Sequence, residues 1–417
     1  MFQEAQINLL DLVISLSNAI DLVSPLLVGH QKRVALIASN IGKELGFSVE
    51  EQEELMLAGL LHDCGALSLG ERLNLMSFES EDPHRHAELG YLLLKCFHPF
   101  YNIASLIRYH HVPWDKGKGE KFRGKRVPKG SHILHLADRV EVLINKEEEI
   151  LDQIDRIIKI IKANSGKIFN PEQVEAFLSL ASKEYFWLSI ISSSTDLSNR
   201  ATRKIIFDID ELVNLAKVFS YIIDFRSRFT AIHSSGVAAT AEALAKVAGF
   251  SEKECKMMKI AGYLHDLGKL AVPTEILEKP AKLTEKEFNI IRSHTFYTYC
   301  LLKPIKGFET INTWASLHHE KLDGTGYPFH LKDKDLPLGS KIMAVADIFT
   351  ALTEDRPYRK GMSIDQALQV LQEMAKNQKL DFYVVSLLKC HLKDINSSRL
   401  SAQEASIKEY QKLFSNK

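Results

Sequence analysis

The chain has 417 residues, 45% of them hydrophobic, which is enough for roughly two to three globular domains with real cores. Its 53 basic and 53 acidic side chains cancel, so bulk charge argues against a polymeric nucleic acid as partner. We expect neither a signal peptide nor a membrane partner, and five cysteines without CxxC spacing indicate a reducing, cytoplasmic compartment.

Hydrophobic periodicity predicts an almost entirely helical chain. Residues 31–46 carry apolar side chains at helical spacing and end on a glycine, and a Ser-x-x-Glu capping box that begins at Ser48 follows them. Residues 236–249 repeat this pattern in the second half, and a second capping box begins at Ser251. No strong alternating pattern indicates an extended sheet, so we expect an all-α fold.

A set of seven histidine and aspartate residues occurs twice. The first half contains His30, His62, Asp63, His86, His110, His111 and Asp138. The second half contains His233, His265, Asp266, His294, His318, His319 and Asp347. The copies are 203 residues apart at the first three positions (His30 to His233), 208 at the next three and 209 at the last. A chance scatter of histidines would not keep this register, so the chain contains an internal repeat.

The repeat also sets the expected domain boundaries. The segment from Phe169 to Val174 matches that from Leu380 to Val385, so each unit includes a closing helix after its last aspartate. A polar stretch, Ser192 to Thr195, separates the two units. We therefore expect a first unit at residues 1–185, a linker at 186–205, a second unit at 206–400 and a C-terminal tail at 401–417.

The second copy has the donor atoms of a dinuclear metal site. Its nitrogen and oxygen ligands suit iron, manganese or zinc better than calcium. Asp266 has two carboxylate oxygens and could bridge two cations; His233, His265 and Asp347 would complete one metal, and His294, His318 and His319 the other. Two metals about 3.5–4 Å apart can activate a hydroxide and hold a phosphoryl group. Any one of these histidines alone is better explained as an ordinary core or surface residue, but seven in register are not.

The motifs around these ligands resemble a known family. His265-Asp266-Leu267-Gly268-Lys269, the run from His318 to Pro328 (HHEKLDGTGYP) and Arg356-Pro357-Tyr358-Arg359 occur in the order typical of the HD-GYP domain of the HD phosphohydrolase superfamily. The resemblance covers about residues 224–390. It implies two tandem HD-domain helical bundles and a metal-dependent phosphodiesterase that opens bacterial cyclic dinucleotides, chiefly cyclic di-GMP, to a linear 5′-phosphorylated product.

The resemblance also implies individual roles. Asp266 and Lys269 would be catalytic, with Lys269 on the scissile phosphate, and Arg356 and Arg359 would hold phosphates of the substrate. The turn that contains Asp323, Gly324 and Gly326 would approach the ligand closely, and Tyr327 would stack on a base or bond a phosphate. Each residue also has a plainer explanation as a solvated charge or a turn former.

The number and identity of the metals follow from the same comparison. Family members with a third metal have a glutamate one turn before the first histidine, where this chain has Phe229. We therefore predict two divalent ions in the C-terminal site, iron or manganese.

The first copy keeps the ligands but loses the phosphate-handling residues. Gly65-Ala66 replaces the glycine and lysine, and Trp114 to Gly119 replaces the GYP loop. His84 competes with His86 as the ligand, and we prefer His86 because Gly90 follows it at the family's spacing. This candidate second metal site belongs to a degenerate HD domain. A structural or regulatory role ranks first, ahead of a second binding site or a hydrolase for another substrate.

Three functional hypotheses remain at this point. Hydrolysis of cyclic di-GMP is the first, and hydrolysis of 3′,3′-cyclic GMP-AMP is its closest enzymatic rival. A non-catalytic module that senses a cyclic dinucleotide and passes the signal to a protein partner is the alternative from another class. A homodimer or a signalling protein partner is compatible with each of them.

Overall fold

The computed structural model describes residues 7–22, 24, 27–66, 69–78, 83–192, 206–224, 232–355 and 360–414. Within these ranges the only strands are two short antiparallel pairs: β1 (Ile7–Asn8) with β4 (Ile206–Phe207), and β2 (Lys121–Phe122) with β3 (Lys125–Arg126). The rest of the regular structure is helical, which confirms the predicted all-α class. No helix in the described part of the chain is both long and apolar enough to cross a membrane.

The chain forms two compact units, Leu9–Ile205 and Ile206–Lys417, and the short N-terminal strand belongs to the second. The first, called the N-terminal unit, contains α1 (Leu9–Asp21), α2 (His30–Glu44), α3 (Val49–Leu61), α4 (Leu69–Leu75), α5 (Pro83–Leu94), α6 (Tyr101–Arg108), α7 (Lys129–Val142), α8 (Ile150–Ala163), α9 (Pro171–Ala181) and α10 (Glu184–Ile191). The second, called the C-terminal unit, contains α11 (Ile209–Asp224), α12 (His233–Val247), α13 (Glu252–Leu264), α14 (Thr274–Leu277), α15 (Glu285–Leu302), α16 (Glu309–Ser316), α17 (Leu338–Thr353), α18 (Ile364–Lys376), α19 (Phe382–Cys390) and α20 (Leu392–Phe414).

The helix that leads to each His-Asp pair has the predicted start. Ser48 caps α3 and Ser251 caps α13, each in a reciprocal capping box with the glutamate three residues later. Both helices end at the first histidine of the pair, His62 or His265. The caps therefore fix the register that delivers the pair to the same place in both units.

A glycine near the end of each of these helices allows close packing. A Cβ on Gly59 would lie 2.5 Å from the Cα of Ala35 on α2, and a Cβ on Gly262 would lie 2.5 Å from the Cα of Ala238 on α12. No side chain fits at such a distance, so the backbones touch there. The two contacts hold the first histidine helix against the His-Asp helix in both units.

Helical structure extends into both ranges that we expected to be irregular. Helix α10 covers the first residues of the expected linker, where Phe186 and Trp187 are buried and the Trp187 indole N–H donates to the Ala181 carbonyl at 2.9 Å. Residues 193–205 lie outside the described ranges. Helix α20 runs to Phe414 through most of the expected tail and packs on α12, where the Ser406 and Ser235 hydroxyls are 2.7 Å apart.

Candidate active site

Seven side chains from five helices converge in the C-terminal unit. His233 is the first residue of α12, and His265 and Asp266 follow the end of α13. His294 lies within α15, His318 and His319 follow α16, and Asp347 lies within α17. The ligand atoms of His233, His265 and Asp266 lie within 4.8 Å of one another, and so do those of His294, His318 and His319. The fold thus brings together all seven residues that the sequence singled out.

Asp266 lies between the two histidine groups. Its Oδ2 is 3.2 Å from His265 Nε2, whereas its Oδ1 is 3.4 Å from His294 Nε2 and 4.0 Å from His318 Nε2. One carboxylate therefore presents one oxygen to each group. This is the arrangement that a ligand bridging two cations requires.

Asp347 connects the remaining two histidines to this centre. Its Oδ1 is 3.1 Å from His233 Nε2 and 4.0 Å from His265 Nε2, while its Oδ2 is 3.9 Å from His319 Nδ1. A second carboxylate thus lies across the His233 side of the centre.

Backbone carbonyls orient three of the histidines. The Nδ1 atoms of His265, His294 and His318 each lie 2.6–2.7 Å from the carbonyl oxygen three residues earlier. With the proton on Nδ1, each ring points the lone pair of Nε2 into the centre. The tautomer that ligates a metal is therefore the one that the helices select.

The pKa shifts of the clustered side chains favour the protonation states that bind metal. Burial lowers the pKa of His294 to about 3 and keeps the pKa of His318 well below its usual value. Burial alone would raise the pKa of Asp266, but the charges of His265 and Lys269 hold it well below its usual value. Neutral imidazoles and an ionised carboxylate are the protonation states that coordinate metals.

Two buried ligand atoms have no hydrogen bond from any described residue. They are His265 Nε2 and Asp266 Oδ1. A buried polar atom left unsatisfied costs about 1–3 kcal/mol, and a bound cation would remove that cost for both. The donor set, its protonation and these two atoms all fit divalent metals.

His233 is held from outside the centre by residues that the sequence analysis missed. Its Nδ1 lies 2.9 Å from Glu354 Oε2, and Gln403 Nε2 donates to Glu354 Oε1 at 2.5 Å. Burial lowers the pKa of His233, but Glu354 and Asp347 outweigh it and raise the pKa to about 10. Glu354 follows Asp347 by two helical turns and so faces the same side, which is a signal that the sequence did contain.

Lys269 is the cation nearest the bridging carboxylate. Its Nζ lies 2.5 Å from Asp266 Oδ2, and about a quarter of its side chain is exposed, at 24%. The turn that holds it, Leu267–Ala271, packs tightly on α15, because a Cβ on Gly268 would lie 1.9 Å from the His294 carbonyl oxygen. Only glycine fits there, and this close contact places the lysine at the rim of the centre.

The loop after His319 packs against the same rim. The Tyr327 ring lies 5.0 Å from the His319 ring, and its backbone N–H donates to the His319 carbonyl at 3.2 Å. The buried carboxylate of Glu320 accepts from the backbone N–H groups of Phe329 (2.7 Å) and Leu331 (3.1 Å). Glu320, which the sequence analysis did not single out, therefore fixes the loop that presents Tyr327.

The remaining turn residues shape the loop. A Cβ on Gly326 would lie 2.4 Å from Glu320 Cα, and Gly324 has a positive φ of 79°. The Asp323 carboxylate accepts from the Thr325 backbone N–H at 2.9 Å, so it bonds within the turn. Arg356, Arg359 and Phe229 lie outside the described residues.

Arg292 is a further cation at this rim that sequence reasoning missed. It precedes His294 by two residues on α15, and its guanidinium lies 5.2 Å from the centroid of the Tyr327 ring. The guanidinium thus lies on the Tyr327 ring, which also packs against the His319 ring. Lys269, Tyr327 and Arg292 thus surround the rim with groups suited to a phosphate ester.

The N-terminal unit assembles its copy in the same way. Asp63 Oδ2 lies 3.6 Å from His30 Nε2 and 3.4 Å from His62 Nε2, while its Oδ1 lies 3.4 Å from His86 Nε2. The ligand atoms of His86, His110 and His111 lie within 4.8 Å of one another, and so do those of His62, His110 and Asp138. His86 is in the cluster, whereas the His84 ring lies 5.0 Å from the Phe122 ring.

Comparison with known proteins agrees with this architecture. Two HD domain families match the chain, one at residues 27–143 and the other at residues 191–384. A Vibrio cholerae protein named 3′3′-cGAMP-specific phosphodiesterase 1 is 31% identical over 401 residues, which cover 92% of each chain. The crystal structure of a cyclic GMP-AMP-specific phosphodiesterase of V. cholerae (V-cGAP3) superposes with a TM-score of 0.63 at 26% identity, over 93% of this chain and 98% of that one.

Other relatives match a smaller part of the chain. The cyclic di-GMP phosphodiesterase response regulator RpfG of Xanthomonas campestris is 38% identical over 151 residues, which are 36% of this chain and 40% of that protein. The chain belongs to the HD phosphohydrolases, and within them to the HD-GYP-type cyclic dinucleotide phosphodiesterases. It is a hydrolase with two HD domains.

Proposed function

We propose that the C-terminal centre hydrolyses 3′,3′-cyclic GMP-AMP to a linear 5′-phosphorylated dinucleotide, with two divalent metals held by its seven ligands. The observation that carries this proposal is the placement of Asp266, which presents one oxygen to each histidine group and has Lys269 beside it. The nitrogen and oxygen donor set suits iron, manganese or zinc, and we propose iron or manganese. When bound, such metals lower the pKa of a water and polarise the phosphoryl group.

The chain's own groups would divide the remaining work. His233, His265 and Asp347 would hold one metal, His294, His318 and His319 the other, and Asp266 both. The His233 ring lies between two carboxylates, with Nδ1 2.9 Å from Glu354 Oε2 and Nε2 3.1 Å from Asp347 Oδ1, and metal binding would need the imidazole neutral. Glu354 would then keep the imidazole oriented as a neutral ligand.

Lys269 would stabilise the phosphate during cleavage. Its ammonium pairs with Asp266 Oδ2 at 2.5 Å, and its side chain is partly exposed beside the proposed metal ligands. A cation there offsets the negative charge that develops on the phosphoryl oxygens. The leaving 3′ oxygen also gains negative charge as its bond to phosphorus breaks.

Tyr327 and Arg292 would position the substrate. Tyr327 can stack on a base or donate its hydroxyl to a phosphate, and Arg292 can form paired hydrogen bonds to the second phosphate. By resemblance to the family, Arg356 and Arg359 would hold the same phosphates. The turn of Asp323, Gly324 and Gly326 would supply the shape and the backbone groups of this rim.

The choice between the two substrates rests on how far the relatives extend. The family resemblance of the sequence motifs favoured cyclic di-GMP, because that family acts chiefly on it. A relative named for 3′3′-cGAMP matches 92% of both chains and therefore includes both units, whereas the cyclic di-GMP relative from Xanthomonas matches 36% of this chain. We therefore rank cyclic GMP-AMP first and cyclic di-GMP second.

The test is a substrate panel. Purified protein loaded with manganese or iron is incubated with 3′,3′-cyclic GMP-AMP, cyclic di-GMP and cyclic di-AMP, and linear products are separated by chromatography. We expect the highest kcat/KM for cyclic GMP-AMP. A higher value for cyclic di-GMP would reverse our ranking, and tight binding without turnover for any metal would indicate a sensor instead.

A further inference from the structure

We propose that the seven histidine and aspartate residues of the N-terminal unit form a closed metal centre that stabilises this unit and is shut off from substrate. The proposal rests on an intact, buried ligand set with a series of aromatic rings packed on its ligand His111, which is less exposed than the counterpart His319. It does not depend on which cyclic dinucleotide the C-terminal centre cleaves.

The ligand set is complete and prepared for metal. Asp63 presents one oxygen to His30 and His62 and the other to His86, just as Asp266 does in its own unit. The Nδ1 atoms of His62 and His110 lie 2.9 Å and 2.6 Å from carbonyl oxygens three residues earlier, so their Nε2 atoms face the centre. His62 Nε2 is buried and has no hydrogen bond from any residue that the structure describes. A cation would satisfy it.

Charged residues reinforce these ligands from outside. The His30 Nδ1 atom contacts Glu141, whose other oxygen accepts from Arg33 Nε at 2.7 Å. Arg139 donates to Asp138 Oδ2 at 2.7 Å, while Asp138 Oδ1 remains 3.6 Å from His30 Nε2. One oxygen of Asp138 is thus neutralised and the other faces the centre. Such outer contacts fix the ligand geometry and raise metal affinity.

An aromatic cover packs on His111, the ligand whose counterpart His319 is partly exposed. The His111 ring lies 5.5 Å from His135, the His135 ring 5.6 Å from Phe169, and the Phe169 ring 6.4 Å from Phe78. His111 is 6% exposed, whereas the side chain of its counterpart His319 is 28% exposed. A substrate as large as a dinucleotide cannot reach His111 without displacing this cover.

Arg139 connects the segment that carries Phe78 to the ligand residue Asp138 through hydrogen bonds. Besides Asp138, its guanidinium donates to the backbone carbonyls of Leu75 (2.9 Å) and Phe78 (3.1 Å), at the end of α4. The counterpart of Arg139 in the repeat is Ile348, which cannot make these bonds. The segment that carries Phe78 is therefore anchored to the centre itself.

The N-terminal centre also has no lysine at the position that Lys269 occupies in the other unit. Asp63 Oδ2 has the Gln31 amide as its neighbour at 3.4 Å, where Asp266 Oδ2 has the Lys269 ammonium at 2.5 Å. Ala66, fully buried, stands where the lysine would be. Structural metal sites are closed by protein, whereas catalytic sites keep an open position. By this criterion the N-terminal centre is structural.

Metal release to a chromogenic chelator tests the proposal without any activity assay. The full-length protein, loaded with manganese or zinc, should lose metal in two phases, a fast one from the C-terminal centre, where His319 is partly exposed, and a slow one from the covered N-terminal centre. Asp63→Asn should remove the slow phase and about half of the bound metal, and Asp266→Asn should remove the fast phase. An unchanged metal content in Asp63→Asn, measured by mass spectrometry of the elements, would overturn the proposal.

The cover has its own test and a matched control. Phe169→Ala should speed the slow phase several-fold without removing metal, whereas Leu380→Ala, the matching position of the other unit, should leave the slow phase unchanged. An unaltered slow phase in Phe169→Ala would overturn the closed arrangement. Should Asp63→Asn not fold, His111→Ala removes one ligand while keeping the bridge, and an unchanged slow phase and metal content would count equally against us.

The structural role predicts a thermal effect. Stripping the wild type of metal should lower the midpoint of an unfolding transition that Asp63→Asn lowers in the same way, while Asp266→Asn should spare that transition. Equal effects of both substitutions on one common transition would contradict a stabilising role specific to the N-terminal unit.

Discussion

The two units contain the same set of seven histidine and aspartate residues, but the residues that surround each set differ. In the C-terminal unit the rim of the centre carries Lys269, Tyr327 and Arg292, and His319 is partly exposed. In the N-terminal unit the corresponding side is covered by His135 and aromatic rings. Ligands therefore indicate only that metal can bind, whereas the rim decides whether a phosphate ester can be cleaved.

The largest expected effect concerns the bridging aspartates. Asp266→Ala removes the one ligand shared by both metals, so hydrolysis should fall by roughly a thousandfold or more, a loss of several kcal/mol. Asp63→Ala should leave kcat/KM within about threefold of wild type, because the N-terminal centre does not contact substrate. Steady-state kinetics of both variants measure this, and equal losses would mean that the units are catalytically coupled.

The next effect concerns the cation at the rim. Lys269→Ala should lower kcat by roughly 10²–10³-fold, the range for removing one charged group that stabilises a transition state. Metal content should stay unchanged, since the lysine is not a ligand. A fall in KM alone, or a loss of metal that explains the lost activity, would show that Lys269 acts differently from our expectation.

A smaller effect should separate the two outer carboxylates. Glu354→Gln weakens the support of His233, and Glu141→Gln weakens that of His30, so each should cost roughly 10–100-fold in the metal affinity of its own unit. Only Glu354→Gln should reduce activity at limiting metal, and excess metal should restore it. The measurement is activity and bound metal across a metal titration; activity lost equally in Glu141→Gln would argue against independent centres.

The smallest effect should come from Arg292. Arg292→Ala removes one phosphate contact and the group stacked on Tyr327, and we expect a rise in KM of roughly tenfold, about 1.4 kcal/mol, with kcat little changed. Phe288, an exposed residue one helical turn before Arg292 on the same helix face, provides the control substitution Phe288→Ala. A tenfold lower kcat with unchanged KM would place Arg292 in the chemical step instead.

The sequence predicted the ligands and their helices because both follow from local rules. The capping boxes at Ser48 and Ser251 depend on four consecutive residues, and the repeat set the register of the rest. The all-helical class and the family, which also depend on local patterns and motifs, were both confirmed. The relative positions of residues within one helix follow from their spacing in the sequence, so they can be predicted without knowledge of the tertiary fold.

What the sequence did not reveal depends on contacts between distant segments. The cover over His111 joins Phe78 to Phe169 across 91 residues, and nothing in either neighbourhood marks them as partners. Arg139 looks like an ordinary polar residue until its bonds to Leu75 and Phe78 are known. Exposure of a rim is a property of tertiary packing, so ligand spacing alone could not distinguish the open centre from the closed one.

Helix α20 was missed because its buried face is polar. Asn396, Arg399, Gln403 and Ser406 are all nearly inaccessible, so the helix lacks the apolar stripe that marks a packed helix. Arg399 donates to Gln403 Oε1 at 2.8 Å, and Gln403 donates to Glu354. The hydrogen bonds replace hydrophobic contacts on this face.

The hydrogen bond from Gln403 to Glu354 connects helix α20 to His233, the first of the proposed metal ligands of the C-terminal unit. A polypeptide cut after residue 400 would retain every histidine and aspartate of the C-terminal centre, yet Glu354 would lose its amide partner and His233 its firm support. Removing residues 401–417 would therefore weaken metal binding much as the mutation of a ligand does, although every ligand is kept. A protease that shortens this helix would therefore lower the metal affinity of the centre without removing any of its ligand residues.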